Sequence, residues 1–178
     1  NIDILNYKFE IHLNDTSDII YGNADIALNI KDSEDRVRLD LISQGKDGMG
    51  MEVKKVTFNG SEVSYSHDND VLLIETGVLE YSSRDIINVV YSGMPITGLI
   101  IGPNMHGDRT FFSDNWPNKG RNWLPLVDHP YDKSTAEFVV IAPNHYQVIS
   151  NGLLVEETNL NKELKLSLIH ISEPTRPR

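Results

Sequence analysis

Apolar and polar residues alternate along much of the first half of the chain, and this alternation predicts β-strands. In the first run the apolar positions are Tyr7, Phe9, Ile11 and Leu13. A polar or charged residue separates each from the next, which is the period-two pattern of a half-buried strand. The alternation resumes over residues 19–30 and 37–41, and Gly22 predicts a bulge or a close backbone approach. No segment has an apolar stripe of helical period.

Turn-forming residues separate the predicted strands. The dipeptide Asn59-Gly60 predicts a type I′ hairpin turn, because both central residues of that turn need a positive φ. Residues 67–70, His-Asp-Asn-Asp, resemble a metal cluster but fall far short of a calcium-binding loop, so a solvated hairpin tip is favoured. Further strands are predicted over residues 71–74, 85–91, 136–141 and 146–149. Many short strands of this kind predict an all-β protein, a sandwich or a large twisted sheet.

An irregular segment between residues 110 and 143 differs from the rest of the chain. It contains both tryptophans, Trp116 and Trp123, and four of the eight prolines. Each proline fixes its own φ and restricts the residue before it, so the segment is predicted to be stiff although irregular. Long loops without secondary structure are uncommon in compact domains and usually serve a function or an interface. Two compatible interpretations stay open: the tryptophans cap a hydrophobic core, or they form part of an interface.

Composition excludes several classes of partner and site. The 178 residues are 39% hydrophobic and 24% charged, which is ordinary for one globular domain. The net charge of −10 argues against nucleic acid or an anionic membrane surface as a partner. Without cysteine, the chain has neither disulfides nor thiolate metal ligands. No apolar run approaches the about 18 residues of a membrane span. The sequence predicts a soluble protein and leaves periplasmic, secreted and cytoplasmic locations open.

The irregular segment carries an ordered set of motifs. Along the chain come Arg121, Pro125, Asp128, Pro130, Lys133, a predicted strand that ends at Pro143, and the tripeptide Ser150-Asn151-Gly152. This set resembles the signature of the N-terminal domain of the zinc aminopeptidases related to aminopeptidase N and leukotriene hydrolase. The earlier patterns Tyr7-x-Phe9-x-Ile11 and Tyr21-Gly22-x-Ala24-x-Ile26 also resemble that family. The resemblance implies a saddle-like, mostly antiparallel assembly of β-sheets.

The C-terminal residues differ in character from the rest. Residues 162–166 still have the pattern of a strand, but residues 167–178 resemble translated sequencing-adapter read-through. The predicted domain therefore covers residues 1–166, and residues 167–178 are predicted to be a non-native tail.

The resemblance implies that the catalytic chemistry lies outside this chain. Zinc in this family is held by the histidines of His-Glu-x-x-His and a later Glu, and the Glu of the motif is the general base. Neither His-Glu-x-x-His nor the substrate motif Gly-x-Met-Glu-Asn occurs here, and no two of the six histidines are four residues apart. The sequence therefore predicts no catalytic residue, no metal ligand and no cofactor in this chain. Zinc is expected in a missing catalytic domain, and the chain alone is expected to be inactive.

The resemblance also implies a substrate-facing position. In relatives, a Gln seven residues before the signature Arg contacts the free amino group of the peptide, and the matching residue here is Asp114. A carboxylate can still receive an ammonium through a charge-assisted hydrogen bond. Asp114 and Trp116 are therefore predicted to line the substrate cleft. The remaining predicted members of the segment form a structural cluster that fixes the loop, and they are Arg121, Trp123, Asp128 and Lys133.

Two functions from different classes follow. The favoured one is the non-catalytic N-terminal domain of a zinc aminopeptidase, whose partners are its own catalytic domain and the N-terminus of a peptide substrate. The alternative is a stand-alone β-sandwich binding module for a carbohydrate or protein ligand, on which Trp116, Trp123 and Tyr131 would stack.

Overall fold

A computed structural model describes residues 2–31, 34–79, 82–129, 131, 133–150 and 152–171. In these ranges the secondary structure consists of thirteen strands and one short 3-10 helix at Gly120–Asn122. The strands are β1 (Ile2–His12), β2 (Ile20–Ile30), β3 (Glu34–Asp40), β4 (Gly50–Phe58), β5 (Ser61–Glu62), β6 (Tyr65–Asp68), β7 (Val71–Leu79), β8 (Ser82–Met94), β9 (Leu99–Pro103), β10 (Arg109–Ser113), β11 (Thr135–Pro143), β12 (Leu153–Asn159) and β13 (Leu164–Ile171). The predicted all-β fold is confirmed.

The strands form one large sheet and two small ones. The large sheet has the order β12-β13-β11-β1-β2-β8-β4-β5, and the small sheets have the orders β3-β7-β6 and β9-β10. Among the described pairs, β1 and β11 run parallel and the others run antiparallel. The sheet is therefore mostly antiparallel, as predicted.

The hydrophobic core lies between the large sheet and the elements that cover one of its faces. In β2 every second residue from Ile20 to Ile30 is buried, so one face of this strand points inward. The buried cluster continues through Leu39 of β3 and Leu72 of β7, which belong to the three-stranded sheet. It also includes Trp123 from the irregular segment. That segment is thus packed into the core of the domain.

Two predicted turns are confirmed. Asn59 and Gly60 have φ values of 48° and 81°, as a turn with two left-handed residues requires. Residues 69 and 70 turn the chain between β6 and β7 and also have positive φ. His67 Nε2 lies 2.9 Å from the carbonyl oxygen of Leu41, and Asp70 Oδ1 accepts a hydrogen bond of 3.0 Å from the backbone N–H of Ser43. These side chains fasten the hairpin tip to the segment that follows β3.

The chain differs from prediction after β11. The strand predicted over residues 146–149 is wrong, because these residues are irregular. The Tyr146 amide donates to the carbonyl of Pro143, which closes a turn, and its hydroxyl donates to Asp15 Oδ1 at 2.6 Å. Burial and the hydrogen bond to this carboxylate raise the pKa of Tyr146 to about 12. The tyrosine thus ties this turn to the connection between β1 and β2.

The domain boundary predicted after residue 166 stays a prediction. Strand β13 continues past that residue to Ile171, where it pairs with β11. Residues 172–178 of the predicted tail lie outside the described residues.

The close approach predicted at Gly22 is made by a side chain. A Cβ atom at this position would lie 2.2 Å from Cζ of Tyr91, which is opposite Gly22 on β8. Because the Tyr91 ring is fully buried, Gly22→Ala is expected to lower the free energy of unfolding by about 1–3 kcal/mol. Urea denaturation measures this loss. Gly102→Ala is the control, since a Cβ there meets no atom within 4 Å. Equal stability of the two variants would contradict the prediction.

Candidate functional site

The irregular segment between β10 and β11 is held against the sheets by backbone hydrogen bonds. Asp40, at the end of β3, exchanges two such bonds with Leu126, with N···O distances of 2.8 and 3.2 Å. The backbone N–H of Ile42 donates to the carbonyl of Arg121 at 2.8 Å. The Tyr7 hydroxyl of β1 accepts the backbone N–H of Val127 at 2.9 Å. These attachments fix the segment although it contains almost no regular secondary structure.

A half-buried ionic cluster closes the segment on itself. Asp128 Oδ2 accepts hydrogen bonds from the backbone N–H and from Nε of Arg121, both at 3.2 Å. The guanidinium also lies 3.5 Å from Asp40 Oδ2, and the same oxygen accepts the backbone N–H of Asp128 at 3.2 Å. One arginine therefore forms ion pairs with two carboxylates that come from different parts of the chain.

Removing the arginine of this cluster is expected to destabilise the domain. Arg121→Met leaves Asp128 without its cation and leaves Asp40 only a 3.5 Å contact with the exposed Arg38, so we expect a loss of about 1.5–3 kcal/mol in the free energy of unfolding. Arg36→Met is the matched control, because Arg36 forms an exposed pair with Glu75 at 3.0 Å and such pairs contribute about 0.2–1 kcal/mol. Chemical denaturation compares the two variants. Equal losses would show that the Arg121 cluster does not fix the segment.

The two tryptophans have opposite environments. Trp123 is 6% exposed and stacks on Phe138 of β11, with ring centroids 6.1 Å apart. Its Nε1 donates to Asn115 Oδ1 at 2.9 Å, which satisfies the polar atom of a buried indole. Trp116, by contrast, is 81% exposed. Each of the two interpretations left open by the sequence therefore fits one tryptophan. Trp123 is part of the hydrophobic core, and Trp116 is exposed at the surface, where it can take part in an interface.

Asp114 lies at the start of the segment in a partly exposed ion pair. Its Oδ2 accepts a hydrogen bond of 2.7 Å from Lys119 Nζ, and its Oδ1 accepts a long one of 3.4 Å from the backbone N–H of Trp116. The Lys119 hydrogen bond, followed by that of Trp116, holds the pKa of Asp114 below its usual value. The carboxylate is therefore an anion at neutral pH.

Two further residues of the predicted set lie at the surface. Tyr131 is exposed, and its ring lies 4.6 Å from that of His129 between centroids. Lys133 is also exposed, and within the described ranges no hydrogen bond or ion pair joins it to Arg121 or Asp128. The structure thus brings together Arg121 and Asp128 and buries Trp123 in the core, whereas the structural role of Lys133 stays a prediction.

The sequence did not reveal several partners in this region. Asp40 alternates with Arg36 and Arg38 along the predicted strand, and this pattern indicates no partner for its carboxylate. Lys119 and Asn115 carried no motif, although a buried tryptophan requires some acceptor for its N–H. The need for such an acceptor could be inferred from the sequence, but the sequence does not identify Asn115 as the residue that provides it.

An apolar cavity of about 410 Å³ adjoins the segment. Its wall includes Phe111 of β10, Phe138 of β11, Trp123, and Val148 from the irregular residues after β11. Among the described lining residues none is charged. Within the described ranges there is also no group of three or more His, Cys, Asp or Glu side chains that could hold a metal ion. The region can present a carboxylate and apolar surface, and the described residues do not fit a zinc site.

The described residues form a β-sheet domain with an anchored loop that carries a partly exposed carboxylate, Asp114. The chain belongs to the Peptidase M1 N-terminal domain family, whose model matches residues 4–172. This match confirms the resemblance that the motifs indicated. A search of curated proteins found no significant match.

Solved structures with the same fold come from M1 zinc metallopeptidases. The enzyme from Deinococcus radiodurans has 22% sequence identity and a TM-score of 0.79, over 96% of this chain and 39% of that one. A mutant from the same organism, bound to a Tyr-Ser-Ala substrate, has 22% identity and a TM-score of 0.78, over 95% and 39%. A two-domain mutant bound to L-arginine has 20% identity and a TM-score of 0.80, over 96% and 39%. The chain therefore spans less than half of the length of these proteins.

In the described part of the chain, no helix has the length and apolar character needed to cross a membrane.

Proposed function

We propose that this chain is the N-terminal, non-catalytic domain of a zinc aminopeptidase, that it docks on the catalytic domain, and that it shapes the pocket for the N-terminus of a peptide substrate. The observation that carries the proposal is the fixed loop that presents Asp114 and Trp116. The anchors of this loop are the Arg121 cluster and the buried Trp123. A rigid support of this kind is what a precise binding group requires.

The geometry of Asp114 suits an incoming ammonium group. Its Oδ2 is bonded to Lys119, whereas its Oδ1 accepts the long hydrogen bond from Trp116 and keeps room for a second donor. A peptide N-terminus would donate to Oδ1 in a charge-assisted hydrogen bond. The exposed Trp116 ring would then offer an apolar surface to the first side chain of the peptide.

Zinc and the hydrolytic step belong to another part of the enzyme in this proposal. This chain has no His-Glu-x-x-His, and its described residues offer no group of ligands. The family match and the coverage of only 39% of the similar metallopeptidases support a catalytic domain elsewhere in the parent protein, meaning the full-length protein that contains this domain.

A stand-alone module that stacks three aromatic rings on a sugar has less support. Trp123 is buried and its N–H is bonded to Asn115, so Trp116 and Tyr131 are the two remaining exposed rings of the three. Glycan binding that Trp116→Ala abolishes would favour this alternative.

The test is to recover the parent gene and assay its product beside the 178-residue chain. We expect the parent protein to contain zinc and to release N-terminal amino acids from peptides, and the 178-residue chain to do neither. A parent protein that binds no zinc, or that leaves peptides intact, would refute the proposed function.

A further inference from the structure

A lysine is bonded to the carboxylate that is proposed to receive the peptide ammonium. Lys119 Nζ donates a hydrogen bond of 2.7 Å to Asp114 Oδ2, and the other carboxylate oxygen faces the backbone N–H of Trp116. The side chains of Lys119 and Asp114 are 35% and 44% exposed, so a ligand can reach both charges. The exposed ring of Trp116 flanks them. The segment therefore presents a cation, an anion and an apolar ring side by side.

Backbone hydrogen bonds hold the two charged residues in place. The N–H of Lys119 donates to the carbonyl of Asn115 at 3.0 Å, and the carbonyl of Lys119 accepts the backbone N–H and Nδ2 of Asn122 at 3.1 and 3.0 Å. The N–H of Asp114 donates to the carbonyl of Gly98 at 2.8 Å. A Cβ atom on Gly98 would lie 2.3 Å from the carbonyl oxygen of Lys119, so the chain at Gly98 packs against both ends of this turn. The fold thus fixes the backbone positions from which the two charged side chains extend.

Lys119 has capacity for a second anionic partner. A lysine ammonium group has three N–H donors. Asp114 accepts from one of them, and within the described ranges no other carboxylate forms an ion pair with Lys119. Arg121, two residues further along the chain, is already engaged by Asp128 and Asp40. Lys119 can therefore bind an anionic ligand group without giving up Asp114.

The charge balance of the pair changes when a peptide ammonium arrives. Asp114 and Lys119 together are neutral, and the ammonium adds one positive charge. A carboxylate on the first side chain of the peptide would restore neutrality, whereas a basic side chain would place a further positive charge beside Lys119. Opposite charges in contact attract and like charges repel. The pair is therefore electrostatically complementary to an N-terminal residue that carries both an ammonium and a carboxylate.

We propose that Lys119 makes the parent enzyme selective for peptides that begin with an acidic residue, because it binds the side-chain carboxylate of that residue while Asp114 binds the α-ammonium. This inference rests on the proposed function, which places the N-terminus of the peptide at Asp114. A lysine and a carboxylate form a charge-assisted hydrogen bond. The methylene groups of a glutamate side chain would contact the ring of Trp116 on the way to Lys119.

The overall charge of the chain does not oppose this contact. A net charge of −10 repels an acidic peptide at long range. Salt screens exposed charges beyond about 10 Å at about 0.1 M ionic strength. A carboxylate in direct contact with Lys119 lies well inside that distance, so the local cation determines the preference.

The experiment compares two peptides that differ only in the first residue, Glu-Ala-Ala and Gln-Ala-Ala, as substrates of the zinc-loaded parent enzyme. Glutamate and glutamine have nearly the same shape, so the ratio of their kcat/KM values isolates the effect of the carboxylate. Lys119→Met removes the cation, and Lys119→Arg keeps it. Lys8→Met is the control, because Lys8 is exposed between the buried Tyr7 and Phe9 of β1 and lies on the other face of the large sheet.

We expect the wild-type enzyme to prefer Glu-Ala-Ala, and Lys119→Met to lower the ratio at least about 10-fold, as the loss of a hydrogen bond between charged groups predicts. Lys119→Arg should keep most of the preference, and Lys8→Met should keep all of it. A peptide that begins with lysine should become a better substrate of Lys119→Met than of the wild type, since the variant lacks the repelling charge.

A purely structural Lys119 would position Asp114 for every peptide alike. Lys119→Met would then change kcat/KM for Glu-Ala-Ala and Gln-Ala-Ala by the same factor. That result in an active zinc aminopeptidase would overturn this inference and leave the proposed function standing. A wild-type enzyme without a preference for Glu-Ala-Ala would overturn it as well, and this measurement needs no variant. A parent protein without zinc or peptidase activity would refute the proposed function itself.

Discussion

Trp123→Ala is expected to lower the free energy of unfolding of this chain by about 3–5 kcal/mol, the cost of emptying a large buried aromatic site. The indole stacks on Phe138 and its N–H is bonded to Asn115, so the substitution removes packing and leaves the amide oxygen without its donor. Domains of this size have stabilities of about 5–15 kcal/mol, so the loss is a large fraction of the total. Chemical denaturation followed by circular dichroism measures it.

The second tryptophan provides the control for that experiment. Trp116 is 81% exposed, and Trp116→Ala is expected to change the free energy of unfolding by no more than about 0.5 kcal/mol. If the two variants lost the same stability, the division of the pair into one core ring and one surface ring would be wrong.

Asp114→Ala in the parent enzyme is expected to raise KM for peptides by about 10- to 150-fold, which corresponds to the 1.5–3 kcal/mol of a hydrogen bond to a charged group. If the ammonium binds equally well in the ground state and the transition state, kcat stays unchanged. The Lys119 hydrogen bond holds the pKa of Asp114 below its usual value of about 4, so the carboxylate stays ionised at neutral pH. The effect is therefore expected not to vary with pH in that range. Steady-state kinetics with unblocked peptides tests this.

The matched control removes a carboxylate elsewhere. Glu62 lies on β5, the edge strand at the other end of the large sheet from β12, and Glu62→Ala should leave KM unchanged. Asp114→Asn keeps an oxygen acceptor without the charge, so its KM should lie between those of the wild type and Asp114→Ala. An unchanged KM in Asp114→Ala would remove Asp114 from the substrate pocket and leave the family membership intact.

Much of the strand pattern could be predicted from local sequence. Alternation around Tyr7 and along residues 19–30 predicted β1 and β2, and Asn59-Gly60 predicted its turn. These features depend on neighbouring residues alone, because the side-chain period of a strand and the φ values of a turn are local properties. The strand predicted over residues 146–149 was wrong for the complementary reason. Apolar residues there line the cavity although their backbone is irregular. An alternation of apolar and polar residues does not distinguish such an irregular segment from a strand.

The candidate site was predictable only in part. The family resemblance implied a structural cluster of Arg121, Trp123, Asp128 and Lys133, and the structure places Arg121 and Asp128 of this set in contact. Asp40 could not be predicted, since it is 88 residues from Asp128 and nothing in its own strand indicates a buried partner. Lys119 likewise became a partner of Asp114 only through the turn that the intervening residues make.

The sequence by itself determined the family, the all-β class and most of the strands, because these follow from motifs and short-range periodicity. Tertiary structure alone decided that β11 pairs in parallel with β1, which is more than 120 residues away, and that one tryptophan is core and the other surface. These properties depend on which distant segments meet, and a pairing between distant strands has no signal in either strand alone.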